Sequence, residues 1–458
     1  MNYYSETYHE STQYEPHGSG DPIVLHWENQ LLPDFRFEGC QRFPLTASKC
    51  ILHSPVFADG LPSVAVFAVV FDDDVPAGVY YFDVRSQELV RVGDKNAALS
   101  VCSAFPESDL LKQSQAMFVY CGVMAQNVWR FKEAAYRRVQ IDVGAACANT
   151  MLFAKSQGKK VFPLGGFVDD SVAVALKLPS AVIPLAALVQ FPENSMVAFN
   201  SEDDGFGEFA YSNRNEEPVV SADPLMAESN ARYPSRFMLQ NRCECINDLS
   251  KCVKVRRVSS SALPGDEFPL TPAKFSNEYY MREMWYLSSQ ENLARPFVRR
   301  TVDLDDFSTM LRWLEMGPVT AFGGGLLKIW VVVFDVMFVY SGVYRYVPFR
   351  KSIYMQASEV NAKKFTKCFA VPEQAANASF ALFVTADLKE ACGVLGERAY
   401  RYLNLNAGFL LESLNMACRF LNKDSFVDHY VYQDELKKLC FVPEGESLLA
   451  CALVGKCK

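Results

Sequence analysis

Two adjacent glycines between an apolar run and an acidic pair, Leu164-Gly165-Gly166-Phe167-Val168-Asp169-Asp170, form the segment of this chain best suited to chemistry. Residues without Cβ let backbone N–H groups approach a ligand closely, and a row of such amides stabilises an anion. The plainer alternative is a tight turn between a strand and a helix. Side chains able to carry a charge or move a proton gather upstream, at Tyr120, Arg130, Lys132 and Glu133. The five histidines (His9, His17, His26, His53, His429) make no ligand pair at helical spacing, no CxxC exists, and Cys243, Cys245 and Cys252 are the sole cysteine cluster. A structural zinc site wants four ligands at recognisable spacing, so no metal is expected.

The elements that must hold the glycine pair follow from its flanks. A short strand over 160–163 leads into it, and Asp169 or Asp170 is placed to cap a helix over 171–178. Before it, strands are expected at 65–71, 79–84 and 116–120, with Pro76-Ala77-Gly78 as a turn, then a buried helix at 136–156. A last strand is expected at 181–190. Downstream, strands are expected at 329–334, 343–347, 380–385 and 448–454, with helices at 401–420 and 434–439.

These two sets are one pattern read twice. Ala135-Tyr136-Arg137 and the apolar helix after it reappear as Ala399-Tyr400-Arg401. Gly78-Val79-Tyr80 reappears as Gly342-Val343-Tyr344, and both pairs are 264 positions apart. Two independent matches at one offset predict a duplicated chain. The division expected is a first domain over 1–199 with an N-terminal extension over 1–50, a polar linker over 200–235, and a second domain over 236–458. Strands, a central helix and further strand in each half predict an α+β sheet covered by helices.

Composition excludes several classes. The 458 residues are 50% hydrophobic and 21% charged, a globular balance with room for two cores. A net charge of -8 argues against a nucleic-acid groove; the one basic cluster, 251–257, reads as a solvated segment. The most apolar window, 326–344, is interrupted by Lys328 and Asp335 and reads as two strands rather than a membrane span. The polar start and scattered cysteines suit the cytoplasm.

On these motifs the chain resembles the nitroreductase-like superfamily, and within it the SagB-type dehydrogenases that oxidise azolines in peptide natural products. The resemblance is carried by Tyr8-His9-Glu10-Ser11-Thr12, by His26-Trp27-Glu28-Asn29-Gln30, by Phe43-Pro44-Leu45, by the two Ala-Tyr-Arg segments, and by Leu164-Gly165-Gly166-Phe167. It implies two tandem nitroreductase-like domains forming an intrachain pseudo-dimer, with FMN bound where the halves meet. No further oligomerisation is then required. It assigns Gly165, Gly166 and Phe167 to the cofactor, together with Arg295 and the Thr320-to-Gly325 loop of the other half, including Gly323 and Gly324. It also implies a peptide or small-molecule substrate and partner proteins of a biosynthetic complex.

The chain departs from the family pattern at several places. The phosphate-gripping arginine run is replaced by Glu291, Asn292 and Leu293 before Arg295. In the first half that whole element reads as deleted, and the partner-subunit loop is degenerate at Ser54–Gly60. Asp428-His429-Tyr430-Val431 stands where a second glycine loop belongs. The family's Lys-Tyr pair becomes Arg130-Phe131 and Val394-Leu395, neither of which can serve as a general base. Three readings follow: an FMN-dependent oxidoreductase with one hybrid site, a flavin-free scaffold or peptide-binding pseudo-enzyme, and a flavin-free enzyme reusing the cleft.

Overall fold

The computed structural model describes residues 3–14, 35, 37, 39–52, 62–106, 108–159, 161–192, 265–273, 296–314 and 326–457. Arg295, Thr320, Gly323, Gly324, all of 53–61 and the basic cluster fall outside them. In the first half the elements are α1 (Tyr4–Ser11), β1 (Arg42–Pro44), β2 (Val64–Val70), β3 (Gly78–Asp83), β4 (Glu88–Gly93), α2 (Lys95–Ser103), α3 (Ser108–Leu111), β5 (Ala116–Val123), α4 (Met124–Phe131), α5 (Ala135–Ser156), β6 (Val161–Leu164), α6 (Asp169–Ala175) and β7 (Val182–Gln190). The second half has β8 (Glu267–Pro269), β9 (Phe297–Val298), α7 (Leu304–Trp313), β10 (Lys328–Val333), β11 (Gly342–Val347), β12 (Ser352–Ala357), α8 (Ala362–Thr366), α9 (Pro372–Asn377), β13 (Phe380–Ala386), α10 (Leu388–Leu395), α11 (Arg398–Phe420), β14 (Asp424–Val427), α12 (Gln433–Leu439) and β15 (Ser447–Cys457).

Two antiparallel sheets result, ordered β1-β4-β3-β2-β5-β7-β6 and β8-β12-β11-β10-β13-β15-β14. Position by position the two orders are the same. The detail repeats too. Both second hairpins carry a register shift, between Val79 and Tyr80 and between Val343 and Tyr344. Gly78 and Gly342 sit at these shifts, each so close to a carbonyl of the neighbouring strand, Gly93 O or Ala357 O, that a Cβ would lie 2.5 Å from it. Tyr80 Oη donates to Pro76 O, and Tyr344 Oη to Tyr340 O.

The strands read as unbroken apolar runs because both sheet faces are covered. Along β2, Val64, Val66, Ala68 and Val70 face a central core, whereas Ala65, Phe67 and Val69 face an outer one. In β10, Ile329, Val331 and Val333 face the same central core and Trp330 and Val332 a third cluster. The long helices α5 and α11 fill the space between the sheets, and the shorter α2 and α6, or α8, α9 and α12, cover the outer faces. Helix α11 is buried on nearly all sides, with three of its residues left outside its buried set, and Asn404, Asn406, Glu412 and Asn415 are buried along with its apolar residues.

The two central helices cross backbone against backbone. A Cβ on Gly144 would lie 2.0 Å from Leu405 O, and one on Gly408 would lie 1.9 Å from Ile141 O. Gly144 and Gly408, like Ile141 and Leu405, are 264 apart. At the same crossing Asn404 Nδ2 donates to Gln140 Oε1 at 3.0 Å. Helix α1 docks across this pair. Its first amides, Tyr4 N and Ser5 N, donate to the Glu397 carboxylate at 2.7 and 2.9 Å, an anion at a helix N-terminus.

Candidate functional site

The Gly165–Phe167 loop lies where the sequence puts it, between β6 and α6, and all three residues are buried. Asp169 is not the cap expected there. The N-cap is Val168, without a side-chain hydrogen bond, and Asp169 is the first helical residue. Its carboxylate is taken by the other half: Arg398 Nη1 and Arg401 Nη1 reach it at 2.6 and 2.7 Å. Arg398 Nε also donates to Gly165 O at 3.1 Å, and its guanidinium lies 4.9 Å from the centre of the Phe167 ring. Burial alone would raise the Asp169 pKa, but the two guanidiniums together hold it below the usual 3.8. The loop is thus sealed by an arginine contributed from α11.

The equivalent place in the other direction is open. A cavity of about 580 Å³ lies between the start of α5, the end of α1 and the Asp428–Val431 segment. Its size is within the usual range for small-molecule sites. Ala134 lines it, and position 134 is the one related by the offset of 264 to Arg398. Where one half has an arginine filling the space, the other has a methyl group.

Charge and aromatic surface dominate the walls. Arg130, Lys132, Arg137 and Arg138 line the cavity against a single acidic side chain, Asp428. Arg138 lies over the Phe131 ring at 3.9 Å. Tyr430 packs at 6.1 Å from Phe131 and 5.4 Å from Tyr14, and Tyr14 stacks on Tyr432 at 5.1 Å. His429 Nε2 is buried with no hydrogen-bond partner among the described residues. Burial first, then Arg138 and Arg137, push its pKa well below 6.5, so the ring is neutral at pH 7.

Helix α1 supplies the brace behind this wall. Arg137 Nη2 donates to Thr12 O at 3.2 Å. With the Gln433 amide turned so that both its ends are satisfied, Gln433 Oε1 accepts from Arg137 Nη1 at 3.3 Å and its nitrogen donates to His9 Nε2 at 3.2 Å. The other ring nitrogen, His9 Nδ1, then donates to Tyr400 Oη at 3.2 Å. Burial, with Arg137 adding to it, lowers the His9 pKa to about 3. Arg137 and Gln433 therefore repeat the Arg401–Asp169 contact of the other side, with a neutral amide in place of the carboxylate.

Of the residues singled out from sequence, Arg130 and Lys132 come together at this cavity. Tyr120 does not join them: it is buried in β5, its hydroxyl donating to Thr150 Oγ1 at 2.6 Å. Gly165, Gly166 and Phe167 are held in the sealed loop. Sequence reasoning missed Tyr14, Arg138, His429 and Tyr430 as lining residues. A residue-by-residue comparison at the offset of 264 would have found the key contrast, alanine at 134 against arginine at 398. Among the described residues no group of side chains suited to a metal ion occurs, and no helix is long and apolar enough to cross a membrane.

Comparison with known proteins bears on the fold. Residues 65–189 match the model of the nitroreductase family. The nitroreductase-like protein MJ1384 of Methanocaldococcus jannaschii is 26% identical over 123 residues, which is 27% of this chain and 62% of that protein. The matched stretch thus spans less than two thirds of the relative's length. The crystal structure of a nitroreductase-like protein from Anabaena variabilis superposes with a TM-score of 0.76, covering 100% of both chains at 17% identity. Residues 65–189 thus resemble a nitroreductase-family domain, and the described residues form an α+β architecture of two antiparallel sheets with the nitroreductase fold.

Proposed function

We propose that this chain is an FMN-dependent oxidoreductase of nitroreductase type, a divergent SagB-type member made by tandem duplication. In this reading its one working site is the cavity between α1, α5 and the Asp428–Val431 segment. The observation that carries it is the wall of four cations and three aromatic rings around a flavin-sized space where the two halves meet. A phosphate dianion wants fixed guanidinium donors. Arg137, anchored to Thr12 O, and Arg138, laid over Phe131, supply them. The buried Nε2 of His429 offers the cofactor one hydrogen bond.

Bound there, FMN supplies two-electron redox chemistry. The chain's own residues orient and exclude water: α1 closes one side, and Tyr14 covers the rim. No general base is assigned. Arg130 stays charged and Phe131 has no hydroxyl, so azoline oxidation by the family's Lys-Tyr pair is not part of this proposal. The substrate class follows the resemblance: a peptide-borne heterocycle or another small acceptor in natural-product biosynthesis, with partner proteins of a modifying complex. All ten cysteines with described side chains are free thiols, which supports a cytoplasmic setting.

The Gly165–Phe167 loop, with Arg295, Thr320, Gly323 and Gly324, is the alternative seat. It does not fit a flavin in the conformation described, because Arg398 occupies the carbonyl and the ring face of the loop. That seal also favours a second reading, a flavin-free pseudo-enzyme acting as a scaffold or peptide-binding partner. Purification decides between them. One FMN per chain, seen by absorption and by mass spectrometry of the released cofactor, is the expected result. A colourless protein that takes up no added FMN supports the second reading instead. A bulky residue at Gly165 lowers the flavin content only if the sealed loop is the seat.

A further inference from the structure

Lys132 stands where the backbone calls for glycine. It terminates α4 with φ 51 and ψ -131, its N–H donating to Val128 O. Its counterpart 264 positions on is Gly396, which terminates α10 with φ 65 and ψ -170, its N–H donating to Cys392 O. This region of conformational space is essentially reserved for glycine, since a Cβ there collides with the adjoining peptides. Another positive-φ position is milder. Lys351, the counterpart of Gln87, lies at φ 54 and ψ 37, in the left-handed helical region that L-residues visit. One half thus has the residue its backbone prefers, and the other has a lysine that the local chain disfavours. Strain of this kind persists where a side chain is needed.

The place of that side chain says for what. Lys132 is exposed at the rim of the cavity, next to Arg130. Its Nζ donates to Trp129 O at 3.0 Å, leaving two of its three N–H groups for another acceptor. Among the described residues neither Lys132 nor Arg130 has a carboxylate partner, whereas the deeper Arg137 is engaged by Thr12 O and Gln433. Below the two rim cations lie the rings of Phe131, Tyr430 and Tyr14.

We propose that Lys132, with Arg130, is a substrate-binding residue that takes the oxyanion of a small aromatic ligand, whose ring lies on Phe131, Tyr430 and Tyr14. The inference rests on the cavity being the working site but not on which cofactor it holds. An ammonium hydrogen bond to an oxyanion at a partly desolvated rim discriminates against a neutral isostere by about tenfold or more.

The test is calorimetric titration of the purified full chain with benzoate, phenyl phosphate and neutral benzamide, alongside thermal melts and flavin content. The expected pattern is that benzoate binds at least tenfold more tightly than benzamide. Lys132→Gly should weaken benzoate about tenfold, leave benzamide unchanged and raise Tm by about 2–4 °C as the strain is released. Gly396→Lys, the mirror change, should lower Tm without altering benzoate binding. Benzoate binding no better than benzamide, benzoate affinity unchanged in Lys132→Gly, or a Tm that fails to rise would each overturn the proposal. Phenyl phosphate weakened more than benzoate would assign the oxyanion to a phosphate ester instead of a carboxylate. A colourless protein that still shows the Lys132→Gly contrast would overturn the flavin reading and leave this one standing.

Discussion

Leu164–Phe167 and Asp428–Val431 occupy the same place in the two halves of one scaffold, yet the first is sealed and the second opens on a cavity. The glycine pair sits in the sealed one. What separates them is not the loop but the residue that reaches it from the opposite half: Arg398, bonded to Gly165 O and Asp169, against Ala134, which leaves the space empty. The first helical residue after each loop follows suit, since Asp169 is held by two guanidiniums while Gln433 makes neutral contacts to Arg137 and His9. A glycine pair marks where backbone could approach a ligand; whether a ligand fits there depends on the side chain packed against it.

The contrast can be broken most completely at position 134. Ala134→Arg gives the open side the residue that seals the other one. It should abolish flavin and benzoate binding, as read by absorption and calorimetry, with little change in folding. Retained binding would mean that the cavity is not the site. Next in size is the helix crossing that both sides share. Gly144→Ala or Gly408→Ala drives a methyl group into a backbone carbonyl, Leu405 O or Ile141 O, and should cost about 3 kcal/mol in urea denaturation. Equal losses from the two changes would sharpen the equivalence of the halves; a loss from one alone would break it.

Smaller effects distinguish the two sides by pH. Unfolded histidine binds a proton near 6.5, whereas His9 in the folded chain does so only at about 3. Stability from this site is therefore full above pH 6.5 and falls as pH drops toward 3, by roughly 2 kcal/mol at pH 5. His9→Gln should reduce the decline in Tm between pH 7 and 5, leaving the part that comes from the buried His429. Asp169 has a lowered pKa, so its contribution is present above about pH 4 and is lost only below that. Asp169→Asn should lower Tm at every pH, because two buried guanidiniums lose their carboxylate, and leave the slope of Tm between pH 7 and 5 unchanged. The smallest effect expected is from Arg398→Ala. It leaves Arg401 on Asp169 and frees Gly165 O, and should cost about 1–2 kcal/mol in denaturation while opening the sealed loop.

Much of the scaffold was legible in the sequence, because β2, β5, β10 and β13 are covered on both faces and must be apolar throughout. The ends of the long helices were nearly so, α11 beginning three residues before the expected 401. Strands at or next to the sheet edges, β1, β4, β8, β12 and β14, were missed. In β4, Arg91, Val92 and Gly93 are only partly buried, so their pattern is weak. The short α4 was missed because its Gln, Asn and Arg make no apolar run, although two of them are buried by tertiary contact. Asp169 was misread because aspartate is a favoured cap, while the arginines that claim it stand 229 and 232 positions away. No local rule reports such a partner. Arg130 and Lys132 were visible as charges, but the space they face exists only once α1 and the second half are in place.

The shared central core has a consequence for how this chain is built. Residues of β2, α5, β10 and α11 belong to one apolar cluster, and the helices that join it interlock at Gly144 and Gly408. Each half alone would present that face to water, so the halves are obligate complements rather than beads on a string. Each half can then lose a function that the other retains, because natural selection acts on the interlocked pair as a single body.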